Sequence, residues 1–247
     1  MAGFAHDSIV PDRTSERSKK EQVAGMFDDI AHRYDFMNRF LSAGIDAGWR
    51  RKALRTLIPS SPRRILDVAT GTAEVAIMAA TMLKPQYILG IDISEGMLDI
   101  GRSKVDKAGL SEVIQLQTGD SEDIDAPDDS FDAVTVAFGV RNFADLTRGL
   151  SEIRRVLRPG GRLVVLEFSK PSLPGIRSLY GWYMGRIAPG MGSLFTRNPA
   201  AYRYLNDSVR NFPEGNAFLE VLQTVGFRET SCKRISLGIC SVYSASK

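Results

Sequence analysis

Between residues 64 and 168 the chain alternates short apolar runs with stretches of helical spacing, and few folds accept that pattern. The runs are Arg64-Ile65-Leu66-Asp67-Val68-Ala69, Tyr87-Ile88-Leu89-Gly90-Ile91-Asp92, residues 113–117, residues 131–138 and residues 162–168. Helical stretches over 75–83, 95–108 and 146–157 separate most of them. Strands with so few polar residues are covered on both faces, and a helix between consecutive strands returns the chain to the same end of the sheet, which makes the pairing parallel. The pattern predicts a doubly wound α/β domain.

The flanks extend this core. Residues 1–20 are polar and read as a mobile arm, and residues 21–58 as a helical cap, with Val23, Met26, Phe27, Ile30, Tyr34 and Met37 at helical spacing and a break near Ser42-Ala43-Gly44. The main domain then runs over 59–247. Within it, residues 171–213 are rich in Pro, Gly and aromatics and read as an inserted lid. A last helix over 216–225 stops at Gly226, and residues 227–235 pair with 239–245 across Ser236-Leu237-Gly238. A closing hairpin on a parallel sheet distinguishes class I methyltransferases from dehydrogenases, which add another parallel unit; by this analogy the fold is a Rossmann-like, seven-stranded, mostly parallel sheet with its last strand antiparallel.

Composition narrows the partners. Lys and Arg number 32 against 29 Asp and Glu, a net charge of +3 without a basic stripe, so no nucleic-acid partner is expected. Two Cys and two His supply neither a disulfide framework nor a zinc site, and no metal is expected. Without a spanning run of about 20 apolar residues or a signal peptide, the chain reads as cytoplasmic.

In an open α/β sheet, ligands bind beyond the carboxyl ends of the strands. The first such end carries Asp67, then Gly71 and Thr72, where a tight turn meets a helix N-terminus. A dinucleotide fingerprint would need glycines where Ala73 and Ala76 stand, which disfavours an NAD(P)-dependent reductase. Asp92, 21 residues beyond Gly71, suits the hydroxyls of a ribose, and Asp120-Ser121 suits an adenine amino group. Three acids around one cleft repel a diphosphate and favour a ligand carrying an ammonium and a sulfonium, so S-adenosylmethionine is the expected cofactor. At the fourth end, either Arg141 and Asn142 hold an oxyanion, or Arg141 pairs with a nearby acid such as Asp145 and Asn142 caps the next helix; spacing leaves these even.

Several blocks carry a resemblance. Phe27-Asp28-Asp29-Ile30-Ala31-His32-Arg33-Tyr34-Asp35-Phe36-Met37-Asn38, Leu66-Asp67-Val68-Ala69-Thr70-Gly71-Thr72, Phe138-Gly139-Val140-Arg141-Asn142 and Leu166-Glu167-Phe168-Ser169-Lys170-Pro171 resemble the ubiquinone/menaquinone biosynthesis C-methyltransferases, from about Phe27 to the C-terminus. The resemblance implies carbon methylation of a reduced polyprenylated quinone ring, with Thr72, Asp92 and Asp120-Ser121 at the cofactor. Two positions depart from that pattern: Ala73-Glu74 replace a common Gly-Asp, and Ala137 a common Ser. Such a reaction needs the ring hydroxyl ionised, which assigns the anion to Arg141, orientation to Asn142 and closure of the site to Tyr34. Arg177, Arg186, Arg197 and the aromatics near Trp182 give the lid a tail channel and a peripheral membrane contact. Self-association as a homodimer stands beside it.

Overall fold

The computed structural model describes residues 4–42, 44–171, 175 and 199–247. Two helices precede the sheet, α1 (Lys19–Leu41) and α2 (Asp46–Arg55). Then follow β1 (Arg64–Val68), α3 (Glu74–Leu83), β2 (Tyr87–Asp92), α4 (Glu95–Lys107), β3 (Ile114–Thr118), β4 (Phe131–Ala137), α5 (Leu146–Val156) and β5 (Leu157–Phe168). Residues 199–247 form α6 (Pro199–Asn211), α7 (Asn216–Val225), β6 (Arg228–Ile235) and β7 (Cys240–Ser246).

The seven strands lie in the order β3-β2-β1-β4-β5-β7-β6. Pairing is parallel from β3 through β5, and β7 runs antiparallel to both of its neighbours. This is the architecture the alternation and the closing hairpin predict. The chain reverses its winding between β1 and β4, which opens a crevice at the carboxyl ends of β1, β2 and β4.

Two apolar layers hold the sheet. One face carries Leu66, Val68, Val134 and Val136 against Leu146, Leu150 and Ile153 of α5 and Phe218 of α7. The other carries Ile65, Ile88, Ala133 and Val164 against Trp49 and Leu54 of α2, Ala76 and Ala79 of α3 and Leu98 of α4. Covering on both faces explains why the apolar residues of β1 and β4 do not alternate with polar ones but fall on both faces of the sheet.

Two local departures have clear causes. Residues 158–161, which lie between the helix expected over 146–157 and the strand expected over 162–168, belong to the start of β5, and the strand shifts register against β4 there. Part of the segment read as a mobile arm is packed: Ala5–Ser8 form one 3-10 turn, and the His6 ring is fully buried edge-on to Phe212 at 5.6 Å. The Lys19 ammonium fastens it by donating to the His6 and Phe143 carbonyl oxygens, each at 2.8 Å. The anchoring residues lie 124 and more positions away, beyond what local polarity registers. The tail-channel residues near Trp182, with Arg177, Arg186 and Arg197, lie outside the described residues.

Candidate active site

A cleft of about 670 Å³ opens at the carboxyl ends of β1, β2, β3 and β4, where the strand order reverses. Its floor is Val68, Ala69 and Gly71 after β1, its sides are Asp92 and Ile93 after β2 and Gly119-Asp120-Ser121 after β3, and Ala137-Phe138-Gly139 after β4 close it. Lys20, Val23, Phe27 and Tyr34 of α1 form the roof, three, four and seven residues apart and so on one helical face. Tyr34 meets Phe27 edge-on with ring centroids 5.8 Å apart.

The backbone at the floor is unusual. Ala69, Ala73 and Phe138 adopt left-handed conformations with φ of 54°, 63° and 59°, alongside Gly71 at 54°. Each non-glycine residue there costs on the order of 1 kcal/mol, a cost the surrounding packing has to sustain. Gly139 is required by close approach: a Cβ on it would stand 2.4 Å from the Cβ of Ala69, across the floor.

Asp92 does two things at once. Its Oδ2 accepts from the Gly71 N–H at 2.8 Å and its Oδ1 from the Ser94 N–H at 3.0 Å, so the carboxylate ties the glycine turn to the end of β2 while facing the cleft. Burial raises its pKa despite these donors, with Asp28 adding repulsion. Asp120 faces the same space and is already engaged: the Lys20 ammonium lies 2.6 Å from its Oδ2 and 2.7 Å from Oε2 of the buried Glu122.

Asp67, Thr72 and Arg141 are not among the lining residues. Asp67, 1% exposed, stands behind the floor, its two oxygens accepting from the Thr70 hydroxyl at 2.7 Å and the Thr135 hydroxyl at 2.6 Å. Burial pushes its carboxyl up to about 6. The Thr72 hydroxyl is turned toward α1, donating to Asp35 at 2.7 Å and accepting from Lys104 at 3.1 Å. Asn142 does line the cleft, and its Oδ1 accepts from the Tyr204 hydroxyl at 3.2 Å.

Arg141 sits directly behind this wall on the 3-10 turn Val140–Asn142. Its Nη1 donates to the Phe138 carbonyl and, at 2.8 Å, to Oε1 of Glu167 at the end of β5. Arg141 is in an ion pair, as one alternative had it, but with a different acid, and the cap is made by a different residue. The partner of Arg141 is Glu167 rather than Asp145, and Asp145 itself caps α5 by accepting from the Arg148 N–H at 2.9 Å.

Several functional contacts have no signature in the sequence. Lys20, Asp28 and Asp35 lie eight and seven residues apart on α1 and fasten it across the cleft. Lys20 bonds Asp120, Asp28 Oδ1 accepts from the Ser94 hydroxyl at 2.6 Å and the Gly96 N–H at 2.9 Å, and Asp35 bonds Thr72. The apolar face of α1 was readable; the partners of its polar face come from strand ends about 40 to 100 residues away.

The chain resembles known proteins along its length. A demethylmenaquinone methyltransferase of Bacteroides fragilis is 45% identical over 244 residues, covering 99% of each chain. A ubiquinone/menaquinone biosynthesis C-methyltransferase of Geobacter sulfurreducens is 45% identical over 230 residues, covering 93% of this chain and 90% of its own. Among solved structures, a SAM-dependent methyltransferase of Thermotoga maritima matches with a TM-score of 0.62 at 20% identity, over 90% of this chain and 99% of that one. The [4+2]-cyclase SpnF matches with a TM-score of 0.69 at 18% identity, over 97% and 99%, so the fold by itself does not settle a reaction. The model of the ubiE/COQ5 methyltransferase family matches residues 15–247, and with the two relatives at 45% identity it establishes that this chain belongs to that family.

Proposed function

We propose that the protein transfers a methyl group from S-adenosylmethionine to a ring carbon of a reduced, polyprenylated demethylnaphthoquinone, giving menaquinol. The observation that carries this reading is the acid-lined cleft at the strand-order reversal, in a chain 45% identical to a demethylmenaquinone methyltransferase over 99% of both. The residues present fit the cofactor: Asp92 and Asp120 offer carboxylate oxygens to hydroxyl and amino groups, and the one ammonium among the described residues lining the cleft, that of Lys20, is neutralised by Asp120 and Glu122, which leaves a diphosphate no counter-charge among them.

S-adenosylmethionine supplies an electrophilic methyl group on a sulfonium. In this reading Asp92 accepts from the ribose hydroxyls, Asp120 and Ser121 face the adenine, and Gly71 keeps the backbone low enough for close approach. Tyr34 and Phe27 cover the cleft and exclude water, which strengthens every charge interaction beneath them. The ring carbon becomes nucleophilic only as its hydroxyl ionises, so the protein has to place positive charge near that oxygen. The Arg141 guanidinium, buried one residue from Asn142, is the cation placed for it. Contact of the lid with a membrane surface belongs to the same proposal, supported by the polyprenyl tail the substrate carries and by the arginines between residues 177 and 197. No helix among the described residues is long and apolar enough to cross a membrane.

The test is direct. Purified protein is incubated with methyl-labelled adenosylmethionine and, in parallel, a reduced demethylnaphthoquinol and its benzoquinol counterpart. Carbon-bound label in the naphthoquinol product is expected. Label in neither, with adenosylmethionine bound, overturns the reaction; label in the benzoquinol alone overturns the substrate.

A further inference from the structure

The ion pair behind the cleft wall is incompletely satisfied. Glu167 is fully buried and Arg141 is 4% exposed. Glu167 Oε1 accepts from Arg141 Nη1 and from the Phe168 N–H, both at 2.8 Å. The other carboxylate oxygen, Oε2, is buried with no hydrogen-bond partner, and so is Nε of Arg141. One ion pair thus leaves one acceptor and one donor unmet, where buried polar groups are nearly always paired. A hydroxyl answers both, because it donates to a carboxylate oxygen and accepts from an N–H.

The other acids near the cleft are committed. Asp92 accepts from two backbone N–H groups, Asp120 holds Lys20, Asp67 accepts from two threonine hydroxyls, and Glu122 accepts from the Ala144 and Asp145 N–H groups. Among the described residues, the one further buried carboxylate oxygen without a hydrogen-bond partner is Oδ1 of Asp7, which lies 3.3 Å from His6 on the N-terminal segment. Two residues of the cleft wall touch or adjoin Arg141: Asn142 follows it on the turn Val140–Asn142, and the Phe138 carbonyl accepts from its guanidinium, so Arg141 stands behind the wall with Glu167 beyond it.

We propose that Glu167 is the proton acceptor for the ring hydroxyl of the quinol, acting directly or across one water, with Arg141 holding the oxygen as it becomes anionic. This rests on the methyl-transfer reading above. Glu167 takes the hydroxyl proton as the O–H bond breaks. The ring carbon then forms its bond to the methyl group while the sulfur–methyl bond breaks, its electron pair remaining on sulfur. The ring C–H proton leaves to solvent, and Glu167 returns its proton to the oxygen. One proton is released per methyl transferred.

The surroundings favour a base stronger than an ordinary carboxylate. Burial raises the Glu167 pKa, while Arg141, from the turn after β4, and the Phe168 N–H oppose the rise. Tyr204 from α6 and Cys240 from β7 also face this region, and burial pushes both above their ordinary values, so they keep their protons and do not compete. Arg50 of α2 acts on the Cys240 side. A general base works best as its pKa approaches that of the operating medium, and an arginine, charged throughout, cannot serve alone.

Glu167→Gln keeps the shape and removes the base. Loss of a general base commonly costs about 10² to 10⁴ in rate, and a loss of at least about 10² in kcat is expected with adenosylmethionine affinity unchanged by calorimetry. On a quinol analogue with an electron-withdrawing substituent, already ionised at assay pH, the variant should recover to within about 10-fold of wild type, because the proton is gone before binding. A second readout needs no turnover. With S-adenosylhomocysteine bound, an analogue that is un-ionised in solution should develop phenolate absorbance on binding to the wild type and not to Glu167→Gln. Should Glu167→Gln fail to fold, Glu167→Asp, which retains a carboxylate, serves in its place and should show the same substrate dependence with a smaller loss. An equal loss on both quinols, unchanged turnover, or phenolate absorbance in the variant complex overturns the proposal. Wild-type enzyme that methylates neither quinol removes the reading beneath it instead.

Discussion

Asp67→Asn isolates the cost of holding a charge behind the floor of the cleft. Asp67 is 1% exposed, and among the described residues its side chain accepts from the hydroxyls of Thr70 and Thr135. Burial, reinforced by the neighbouring Asp92, lifts its carboxyl from 3.8 to about 6, against the opposing pull of the two hydroxyls. The folded value lies above the unfolded one, so the stabilising contribution of the protonated form is full below about 4 and is lost as pH rises through about 6. At about 1.4 kcal/mol per pH unit, the rise corresponds to about 3 kcal/mol of stability forgone at pH 7. Asparagine has the shape of the protonated acid, and both threonine hydroxyls can rotate to accept from its amide. The variant should therefore match wild type at pH 4 and exceed it at pH 7 by about 3 kcal/mol, or about 6 to 12 °C in Tm for a chain of this size. Urea unfolding at pH 4, 5, 6 and 7 reads the difference directly. A gap that is constant across this range, or a variant less stable at pH 7, would refute the reasoning, since either result means that the carboxylate is stabilised by its surroundings as an anion.

Asp92→Ala removes the ribose acceptor and releases the Gly71 and Ser94 N–H groups together; adenosylmethionine affinity measured by calorimetry should fall by about 1.5 to 3 kcal/mol. Arg141→Ala should bind cofactor yet lose about 10² to 10³ in turnover. It also strands the Glu167 charge, which lowers stability at pH 7 by about 3 to 5 kcal/mol, and the deficit should shrink on acidification because the pKa of Glu167 is already raised. Gly139→Ala drives a methyl to 2.4 Å from Ala69 at the cleft floor, and should cost about 1 to 3 kcal/mol in chemical unfolding while weakening cofactor binding.

The centre of the sheet was legible because β1, β2, β4 and the second half of β5 are covered on both faces and announce themselves as short apolar runs. The hairpin of β6 and β7 was legible from the turn between them. The start of β5 was hidden, since Pro159 and two glycines speak for a turn locally, while Leu157 and Arg162 on either side of them both pair with β4 across a register shift. At the site, Asp92, Asp120, Ser121, Gly71, Asn142 and Tyr34 could be placed from strand ends and helical spacing, and all of them line the cleft. What stayed hidden was who pairs with whom. Arg141 has an acid four residues away, but its partner is 26 residues distant on the next strand of the sheet, and Lys20 reaches an acid 100 residues on. Such pairings follow from strand order and helix placement, and no local rule for side-chain neighbours contains them.

The position of β7 sets the timetable for folding during synthesis. A ribosome has delivered β1 through β5 long before residues 240–246 exist, and until then β5 presents an open row of N–H and C=O groups on the side that β7 will occupy. β6, although made earlier, pairs with β7 rather than with β5 and so cannot cover that row. The nascent domain therefore spends the interval until β7 is made with a sticky edge, exposed to strands of other nascent chains. The residue after β7 adds to the closure: the Lys247 N–H donates to the Gly161 carbonyl and its ammonium reaches Asp129, sealing the entry to β5 once β7 has paired. A stalled or prematurely terminated message would yield a protein that retains most of the cleft and lacks the element that makes it safe to have in a crowded cell.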